Sequence, residues 1–532
     1  MLRRSLLLSA LAGFVPTAWL RADEPRAPVT LHVARASLRR DPVADVLALP
    51  PEALPGPAAA DRPIIEPEDR SAEASLLRRL QARGRAAGLS GTLYDNRDRG
   101  HSAIPPGRFS QMTRIAYDPD MAAEGLDYGL AGALRFPAIT LGNSSTAITH
   151  GTTWRSLPRL AMTAAGGPAR AAADYAANAL YVYPEHRDHD ADDLFPAAWP
   201  YMTTSQGSSG SDQPFLRALG MILASFPPET RARMESLGLV APTAQMVLRR
   251  TQMGLLRPEA YLSGAAHPSA FAEAALHPEA QVALAASLAP DALPPAVDLR
   301  VVEETFLPRA GLLGTSERLF DTPGAIARLW LDLAGRREML VSTEGTLDPA
   351  GRALVMRWVL LRGDPSAVTI TPLDAAGRRA RISLGWQEPR PAPAGFGTSG
   401  AGPMSSRVDV GVFAEVGGML SAPAFVSVTL PPQTRAYQAG PDGAPQLREI
   451  DYDAGGRPHD PVLFWRAGWR DRFHHDAAGR LLGWTRESIA PDDPNFAAAG
   501  DYAPDGTRGG QPVRYALRPS PGGRGPELIV QP

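Results

Sequence analysis

The segment 213–226 carries its apolar residues at the spacing of one helical face, and these residues are Phe215, Leu219, Ile222, Leu223 and Phe226. Asp212 stands at the N-cap position, and Pro227-Pro228 ends the pattern because proline cannot continue a helix. Weaker helical patterns cover four further segments, which are 71–88, 229–237, 243–253 and 269–276. The stretch up to about residue 295 therefore predicts an α-rich domain.

The pattern changes after Leu293-Pro294-Pro295, where short stretches of alternating polarity predict strands. These stretches are 297–302, 354–361, 368–370, 380–384, 408–413 and 424–430. The five-residue motif Asp-x-x-Gly-Arg recurs at 348–352, 374–378, 453–457 and 476–480. Asp suits the first position of a type I turn and Gly the positive φ that follows it, so each copy predicts a hairpin tip.

Together these patterns predict a multidomain α+β protein, since 532 residues exceed the size of one hydrophobic core. The α-rich domain, a catalytic or binding unit, is expected to precede an immunoglobulin-like β-sandwich and a small β tail. The predicted divisions are a signal peptide (1–22), a Pro/Ala-rich arm (23–70), the α-rich domain (71–295), the sandwich (296–430) and the hairpin-rich tail (431–532).

Composition removes several classes of function. The net charge of −2 and the lack of a basic run argue against a nucleic-acid partner. The chain has no Cys, which excludes disulfides, thiolate metal sites and Cys nucleophiles. All 54 basic residues are Arg, so no Lys is present to bind phosphate in a Walker loop.

The N-terminus predicts export. Arg3 and Arg4 precede an apolar run over 5–20, and Ala22 is a plausible cleavage point. The run is too short for a comfortable membrane span, so no stable span is expected after processing. The predicted location is the periplasm or the medium, reached by the Sec route or, given the Arg pair, by the twin-arginine route; an uncleaved anchor is the alternative.

Residues 296–430 resemble a PKD-type or cadherin-like β-sandwich module. The resemblance rests on Val341–Gly351 followed by Leu354 and Trp358, which are similar to the Ser-x-Asp-x-Asp-Gly-x-x-Leu-x-x-x-Trp stretch of that family. It implies that Trp358 fills the sandwich core and that Val426-Ser427-Val428 forms the closing strand. Ala350 replaces the second Asp of the stretch, and the usual Gly-Asp-Gly after the Trp is absent. The tail at 445–485 is similar to single YD-type repeats, and residues 75–295 resemble only uncharacterised secreted bacterial proteins.

The first candidate site is the polar run 94–101. Asp95, Asp98 and His101 are candidate acid–base groups, and Arg97 is a candidate substrate ligand. The alternative is a loop held by its own salt bridges.

The second candidate site covers 142–155, where small polar residues precede His150. Asn143 and Ser144 could build a nucleophile or oxyanion-type site with His150, and Arg155 could hold substrate. An ordinary hydrogen-bonded turn is the alternative.

The third candidate site is the acidic segment 185–193. Glu185 and His186 are candidate catalytic groups, whereas the candidate ligands of a divalent cation such as Ca²⁺ are Asp188, His189, Asp190 and Asp192. A standard EF-hand is excluded because Asp193 takes the place of the Gly and Trp199 that of the final Glu. A solvated acidic loop is the alternative.

The fourth candidate site is the Gly/Ser loop before the helix at 213–226. Ser208, Ser209, Ser211 and Asp212 could bind a ligand at the helix N-terminus, where free N–H groups favour anions. A flexible capped turn is the alternative.

These sites predict a secreted or periplasmic hydrolase of a polar small molecule, with a glycan favoured over an ester or a phosphate-bearing compound because paired carboxyl groups are the usual means of glycoside cleavage. One alternative is a non-catalytic envelope or surface ligand-binding protein. The other is a metal-dependent hydrolase that uses segment 185–193. If the four segments converge in space, they form one pocket.

Overall fold

The computed structural model describes residues 29–531 except 43–45, 56–61, 96–99, 106, 125–133, 150–153, 307–316, 332, 432, 453–462, 464–468, 489–498 and 520–525. The predicted signal peptide and the third Asp-x-x-Gly-Arg copy, at 453–457, lie outside these residues. None of the helices described in this range is both long and apolar enough to cross a membrane.

The first part of the chain is built around a parallel β-sheet. Its strands are β1 (Thr30–Val33), β2 (Arg39–Asp41), β3 (Val46–Ala48), β4 (Thr92–Asp95), β5 (Thr113–Tyr117), β6 (Leu134–Arg135), β7 (Thr140–Asn143), β8 (Ala147–Ile148), β9 (Arg155–Ser156), β10 (Ala179–Pro184) and β11 (Met202–Ser205). Six of them form one sheet in the order β1-β5-β4-β7-β10-β11, with every pair parallel. Strands β2, β3 and β6 form a small separate sheet.

The helices of this part are α1 (Ala72–Ala82), α2 (Pro119–Ala123), α3 (Leu157–Thr163), α4 (Gly167–Ala176), α5 (Gln213–Ser225), α6 (Pro228–Leu237), α7 (Val240–Arg250) and α8 (Pro278–Ser287). The predicted start at Ser71 is confirmed, since its hydroxyl accepts the Ala74 N–H. Gly238 ends α6 in the left-handed region, as predicted. Every residue of β10 is buried, so both faces of the sheet are covered.

An α-rich N-terminal domain was the wrong fold class. Over the described residues, strand exceeds helix, and the N-terminal part is organised by the parallel sheet. The sheet escapes the sequence pattern because its strands are short and buried on both faces. The strand β10 reads Ala-Leu-Tyr-Val-Tyr-Pro, a continuous apolar run without alternation.

Two facing sheets follow. Their strands are β12 (Arg300–Glu304), β13 (Arg318–Thr322), β14 (Ala325–Leu329), β15 (Arg336–Ser342), β16 (Val355–Arg362), β17 (Val368–Pro372), β18 (Arg379–Gly385), β19 (Arg390–Pro391), β20 (Met404–Ser405), β21 (Arg407–Val416), β22 (Met419–Leu420) and β23 (Ala424–Thr429). One sheet has the order β12-β15-β18-β17 and the other β13-β14-β23-β21-β16, with β22 paired to β21. Side chains of both sheets share one apolar core.

The tryptophan of the sandwich core differs from the one that the family resemblance implied. Trp330 is the fully buried indole of the core, where it contacts Phe306 and Trp386 edge-on. Trp358 is only partly buried, and its indole N–H donates to the Gly377 carbonyl. Val426–Val428 belongs to β23, the last strand of these two sheets in chain order, and lies between β14 and β21. The PKD-like assignment itself stays a prediction.

The chain ends in β24 (Thr434–Ala439), β25 (Pro445–Asp451), β26 (Trp469–His475), β27 (Leu481–Ser488), β28 (Gly500–Tyr502), β29 (Thr507–Arg508), β30 (Gln511–Pro512), β31 (Arg514–Pro519) and β32 (Pro526–Gln531). Strands β24 to β28 form one antiparallel sheet. Here Arg486 is fully buried, is paired with Asp471 and lies over the rings of Trp469 and Tyr502.

The three described Asp-x-x-Gly-Arg copies form the predicted turn, with Gly351, Gly377 and Gly479 at positive φ. Asp374 shows why Asp leads the motif, since its carboxylate accepts the backbone N–H groups of Ala376 and Arg378. The copies at 374–378 and 476–480 join paired strands and are hairpin tips. The copy at 348–352 connects β15 to β16, which lie in different sheets, so it is not a hairpin.

Asp174 of α4 makes the stability of this fold dependent on pH. Burial raises the pKa of Asp174 from its ordinary value of 3.8 to about 7, against the opposing charge of Arg135, whose Nε lies 3.5 Å from the carboxyl oxygen. Because the folded state holds this proton more tightly, its stabilising effect is complete below about pH 4 and is lost as the pH rises through 7.

We therefore expect Asp174→Asn to remove this part of the pH dependence. Denaturant unfolding from pH 4 to 8 measures it as the difference in unfolding free energy between wild type and variant, a difference that should shift in favour of the variant with rising pH. A difference that is constant across this range would contradict the assignment.

Candidate functional site

The carboxyl ends of the parallel strands bring most of the predicted segments to one edge of the sheet. Strands β5 and β7 lie on opposite sides of β4, so the direction of winding reverses between β4 and β7. Open parallel sheets bind their ligands outside the carboxyl ends at such a reversal. The last residues of the two strands, Asp95 and Asn143, are paired in register there.

Asn143 joins this edge to the start of α5. It is buried, and its side-chain N–H groups donate to the carboxyl group of Asp212 and to the Ser102 carbonyl, the latter at 2.7 Å. Asp212 is fully buried at the position before α5. It occupies the predicted N-cap position, but its side chain makes no capping hydrogen bond to α5. A buried carboxyl group therefore stands beside the strand reversal.

Glu185 follows β10 and ties two loops together. One of its carboxyl oxygens accepts the Gly207 N–H and the other the His189 N–H, both at 3.0 Å. The side chain is buried, and burial raises the pKa of Glu185 above its ordinary value even though both hydrogen bonds lower it. A carboxyl group with a raised pKa holds its proton closer to neutral pH, as a general acid must.

His186 is held against the loop that follows β7. Its Nε2 lies 2.6 Å from the Ser145 carbonyl oxygen and 3.4 Å from the Ser145 hydroxyl. Because a carbonyl only accepts, Nε2 carries a proton in this geometry. The Ser145 hydroxyl is in turn 2.6 Å from the Ser209 hydroxyl. Trp154 contacts the imidazole edge-on.

The backbone at His186 and Arg187 is strained. Both residues lie in the left-handed region, with φ of 47° and 74°. Such conformations are costly for residues other than glycine, and they cluster at functional sites. These two left-handed residues turn the chain at the carboxyl end of β10, and His186 lies against Ser145 after the turn.

The Gly/Ser loop at 205–212 forms hydrogen bonds within itself and to Ser102. The Ser102 hydroxyl accepts the Gly210 N–H at 2.9 Å, and the hydroxyls of Ser205 and Ser211 lie 2.9 Å apart. Ser208 and Ser209 have exposed side chains, whereas Ser211 is half-buried. With the carboxyl group of Asp212 at the start of α5, the predicted anion site is poorly suited to an anion.

The predicted metal ligands do not come together. The carboxylate of Asp188 is fully buried, pairs with Arg159 at 2.8 Å and accepts the backbone N–H and the hydroxyl of Ser156. Asp190 is exposed, Asp192 is half-buried, and the ring of His189 faces Asp193 at 3.8 Å. No group of three or more potential ligands for a metal ion forms among the residues described. Arg159 and Ser156 therefore occupy the carboxylate of Asp188, and a metal site at 188–192 stays a prediction.

The remaining predicted residues fall elsewhere. Arg155 is buried, and its guanidinium donates to Thr163 of α3 at 2.7 Å. His101 is exposed beside Ser102. Ser144 is buried, and its hydroxyl donates to the Thr146 hydroxyl. Arg97, Asp98 and His150 lie outside the described residues, as does the side chain of Asp95.

Four residues of this region were not predicted from the sequence: Ser102, Ser145, Ser156 and Arg159. Ser145 lay within a predicted segment and could have been found there, since it follows Asn143 and Ser144 directly. Ser156 and Arg159 have no local signal, because their partner Asp188 is about thirty residues away and only the fold brings it near.

No protein-family model matches the chain, and a comparison with curated proteins found no match. Among solved structures, the chain aligns with a nucleoside hydrolase-related hypothetical protein from Saccharophagus degradans that is associated with carbohydrate metabolism. The alignment covers 64% of this chain and 99% of that chain at 10% identity. Its TM-score of 0.18 is too low to support an argument about fold or activity.

Proposed function

We propose that the carboxyl edge of the parallel sheet binds and hydrolyses a neutral, hydroxyl-rich substrate of the glycan class, in an exported protein. The observation that carries the proposal is the convergence of Glu185, His186 and the Asn143–Asp212 pair at the strand reversal. Glu185 would act in acid–base catalysis, and the exposed Ser209 would bind a substrate hydroxyl group beside the buried Asn143–Asp212 pair.

The charges of the site favour a glycan over a phosphate-bearing compound. Two carboxyl groups, those of Glu185 and Asp212, belong to it. Two buried arginines of the neighbouring segments are already engaged, Arg159 by Asp188 and Arg155 by Thr163, while Arg187, which follows His186, is exposed. The two carboxyl groups would repel a phosphate, whereas sugar hydroxyls can donate to carboxyl oxygens and exchange hydrogen bonds with the exposed Ser209 hydroxyl.

The position of His186 argues against serine-based ester hydrolysis. A serine nucleophile needs an unprotonated imidazole nitrogen within hydrogen-bond reach of its hydroxyl. The Nε2 of His186 instead carries its proton toward the Ser145 carbonyl at 2.6 Å, and the Ser145 hydroxyl is 3.4 Å away. Carboxyl-based hydrolysis of a glycosidic bond fits this site better.

The purified full chain tests the proposal against three substrate panels: oligosaccharides, chromogenic esters and phosphate monoesters. We expect release of reducing sugar from at least one oligosaccharide and no turnover of the other panels. Calorimetry with the same oligosaccharides separates the alternative, since binding without turnover supports a ligand-binding protein. Turnover restricted to esters or phosphates would overturn the glycan proposal.

A further inference from the structure

A small buried cavity lies where the parallel-sheet part meets the sandwich. It has a volume of about 10 Å³ and is lined by side chains from both parts, including Trp199, Thr204, Arg249, His267, Ser269 and Phe425. This volume is close to the roughly 10–15 Å³ that one water-sized particle requires. The cavity is separate from the carboxyl-edge site and plays no part in the proposed hydrolysis.

Arg249 supplies this cavity with a buried positive charge. Its side chain is only 3% exposed, and its guanidinium contacts Gln245 and the His267 ring, each at 3.3 Å, and lies over the Phe271 ring at 4.9 Å. Burial lowers the pKa of Arg249 to about 10, so it is still charged at neutral pH. No carboxylate in the described part of the chain forms an ion pair with it, although an isolated buried charge is costly.

The other partners of Arg249 are neutral. His267 accepts from Arg249 through Nδ1 and donates from Nε2 to the Tyr261 carbonyl at 2.6 Å. Burial and the charge of Arg249 hold the pKa of His267 well below its usual range. The ring is therefore neutral and cannot offset the guanidinium charge.

The neighbouring charges of the interface are already balanced. Arg362 and Arg407 are buried and pair with Asp193 and Asp409, with an Arg362–Asp409 distance of 3.2 Å and an Arg407–Asp409 distance of 2.8 Å. Ser269, which lines the cavity, donates to Asp193 and accepts from Arg407. The charges of these two aspartates and two arginines thus balance each other, and neither aspartate forms an ion pair with Arg249.

A second donor lines the same cavity. Trp199 is 5% exposed, and no hydrogen-bond partner of its indole N–H is found within the described residues. A buried N–H of this kind normally has a partner, and an unmatched one indicates an unseen water or ion. We propose that this cavity binds a small monovalent anion of the halide class, which neutralises Arg249 and joins the parallel-sheet part to the sandwich.

The test compares the thermal unfolding midpoint in sodium chloride, sodium bromide and sodium gluconate at equal ionic strength. An anion that binds only the folded protein raises the midpoint in proportion to the logarithm of its concentration above its Kd. We expect this rise of a few degrees with chloride and bromide but not with gluconate, which is too large for the cavity. An equal rise in all three salts would overturn the proposal.

Two variants assign the effect to the cavity. Arg249→Met removes the charge but keeps the length, and should lose the halide-specific rise. Arg217→Met is the matched control, because Arg217 does not line the cavity and pairs with Asp69 and Glu73. This variant should keep the halide-specific rise. Retention of the rise in Arg249→Met would count against the site.

If Arg249→Met does not fold, crystals of the unaltered chain soaked in bromide give an independent answer. We expect an anomalous peak within hydrogen-bond distance of the Arg249 guanidinium. A cavity that holds only water, without anomalous signal, would overturn the proposal.

Discussion

Glu185→Gln is expected to lower kcat on the glycan substrate by about 10²- to 10⁴-fold, the usual contribution of a general acid or base. The variant keeps the size of the side chain but removes the titrating group whose pKa burial raises. KM should change far less than kcat. Steady-state kinetics at several pH values measure the effect, and the limb of the pH profile that belongs to Glu185 should disappear.

A purely structural role of Glu185 predicts a different outcome. Gln can accept only one of the two backbone N–H groups, of Gly207 and His189, that the carboxylate accepts now. If Glu185 only fastens these loops, its loss raises KM and lowers stability while the pH profile keeps its shape. Asp190→Asn is the matched control, since Asp190 is an exposed carboxylate on the same loop and should leave all parameters unchanged.

Asp188→Ala is expected to lower the unfolding free energy by about 3–5 kcal/mol, as breaking one side of a buried ion pair does. The change leaves the charge of Arg159, which is 2% exposed, without this counter-charge and removes the acceptor of the Ser156 N–H and hydroxyl. Denaturant unfolding measures the loss.

The double variant Asp188→Ala with Arg159→Met should recover part of that stability, because the uncompensated charge is gone. Added calcium should not change the unfolding midpoint of the unaltered chain, because the carboxylate of Asp188 is already paired with Arg159. A loss below about 1 kcal/mol, the level of an exposed pair, or a saturable stabilisation by calcium, would contradict the ion-pair role.

The sequence predicted the helices better than the sheet that organises them. The α5 stripe and its proline end are local signals, and α5 runs over Gln213–Ser225 almost as predicted. The strands β4 and β7 are four residues each and include polar residues at buried positions, such as Thr92 and Asn143. Burial of both faces depends on distant helices, so no local alternation marked these strands.

The sequence predicted which segments contain the polar residues of the candidate site, but it did not predict the role of each residue. The sequence left open whether the segments meet. In the structure Asn143 contacts Asp212 and His186 contacts Ser145, because these segments follow parallel strands or precede α5 at the same edge. The alternate spacing of Asp188, Asp190 and Asp192 predicted a calcium site. In the structure Asp188 forms a buried ion pair with Arg159. An ion pair between residues so far apart is a property of the fold and leaves no mark on the local pattern.

A structure with a bound oligosaccharide tests the central claim most directly. We expect sugar hydroxyls within hydrogen-bond distance of His186 or Ser209, at the carboxyl edge between β4 and β7. A different pocket, of about 240 Å³, lies at the amino end of the sheet and is lined by residues such as Thr92, Gln111 and Arg231. A sugar bound there, with the carboxyl edge empty, would overturn the assignment of the substrate site to this edge.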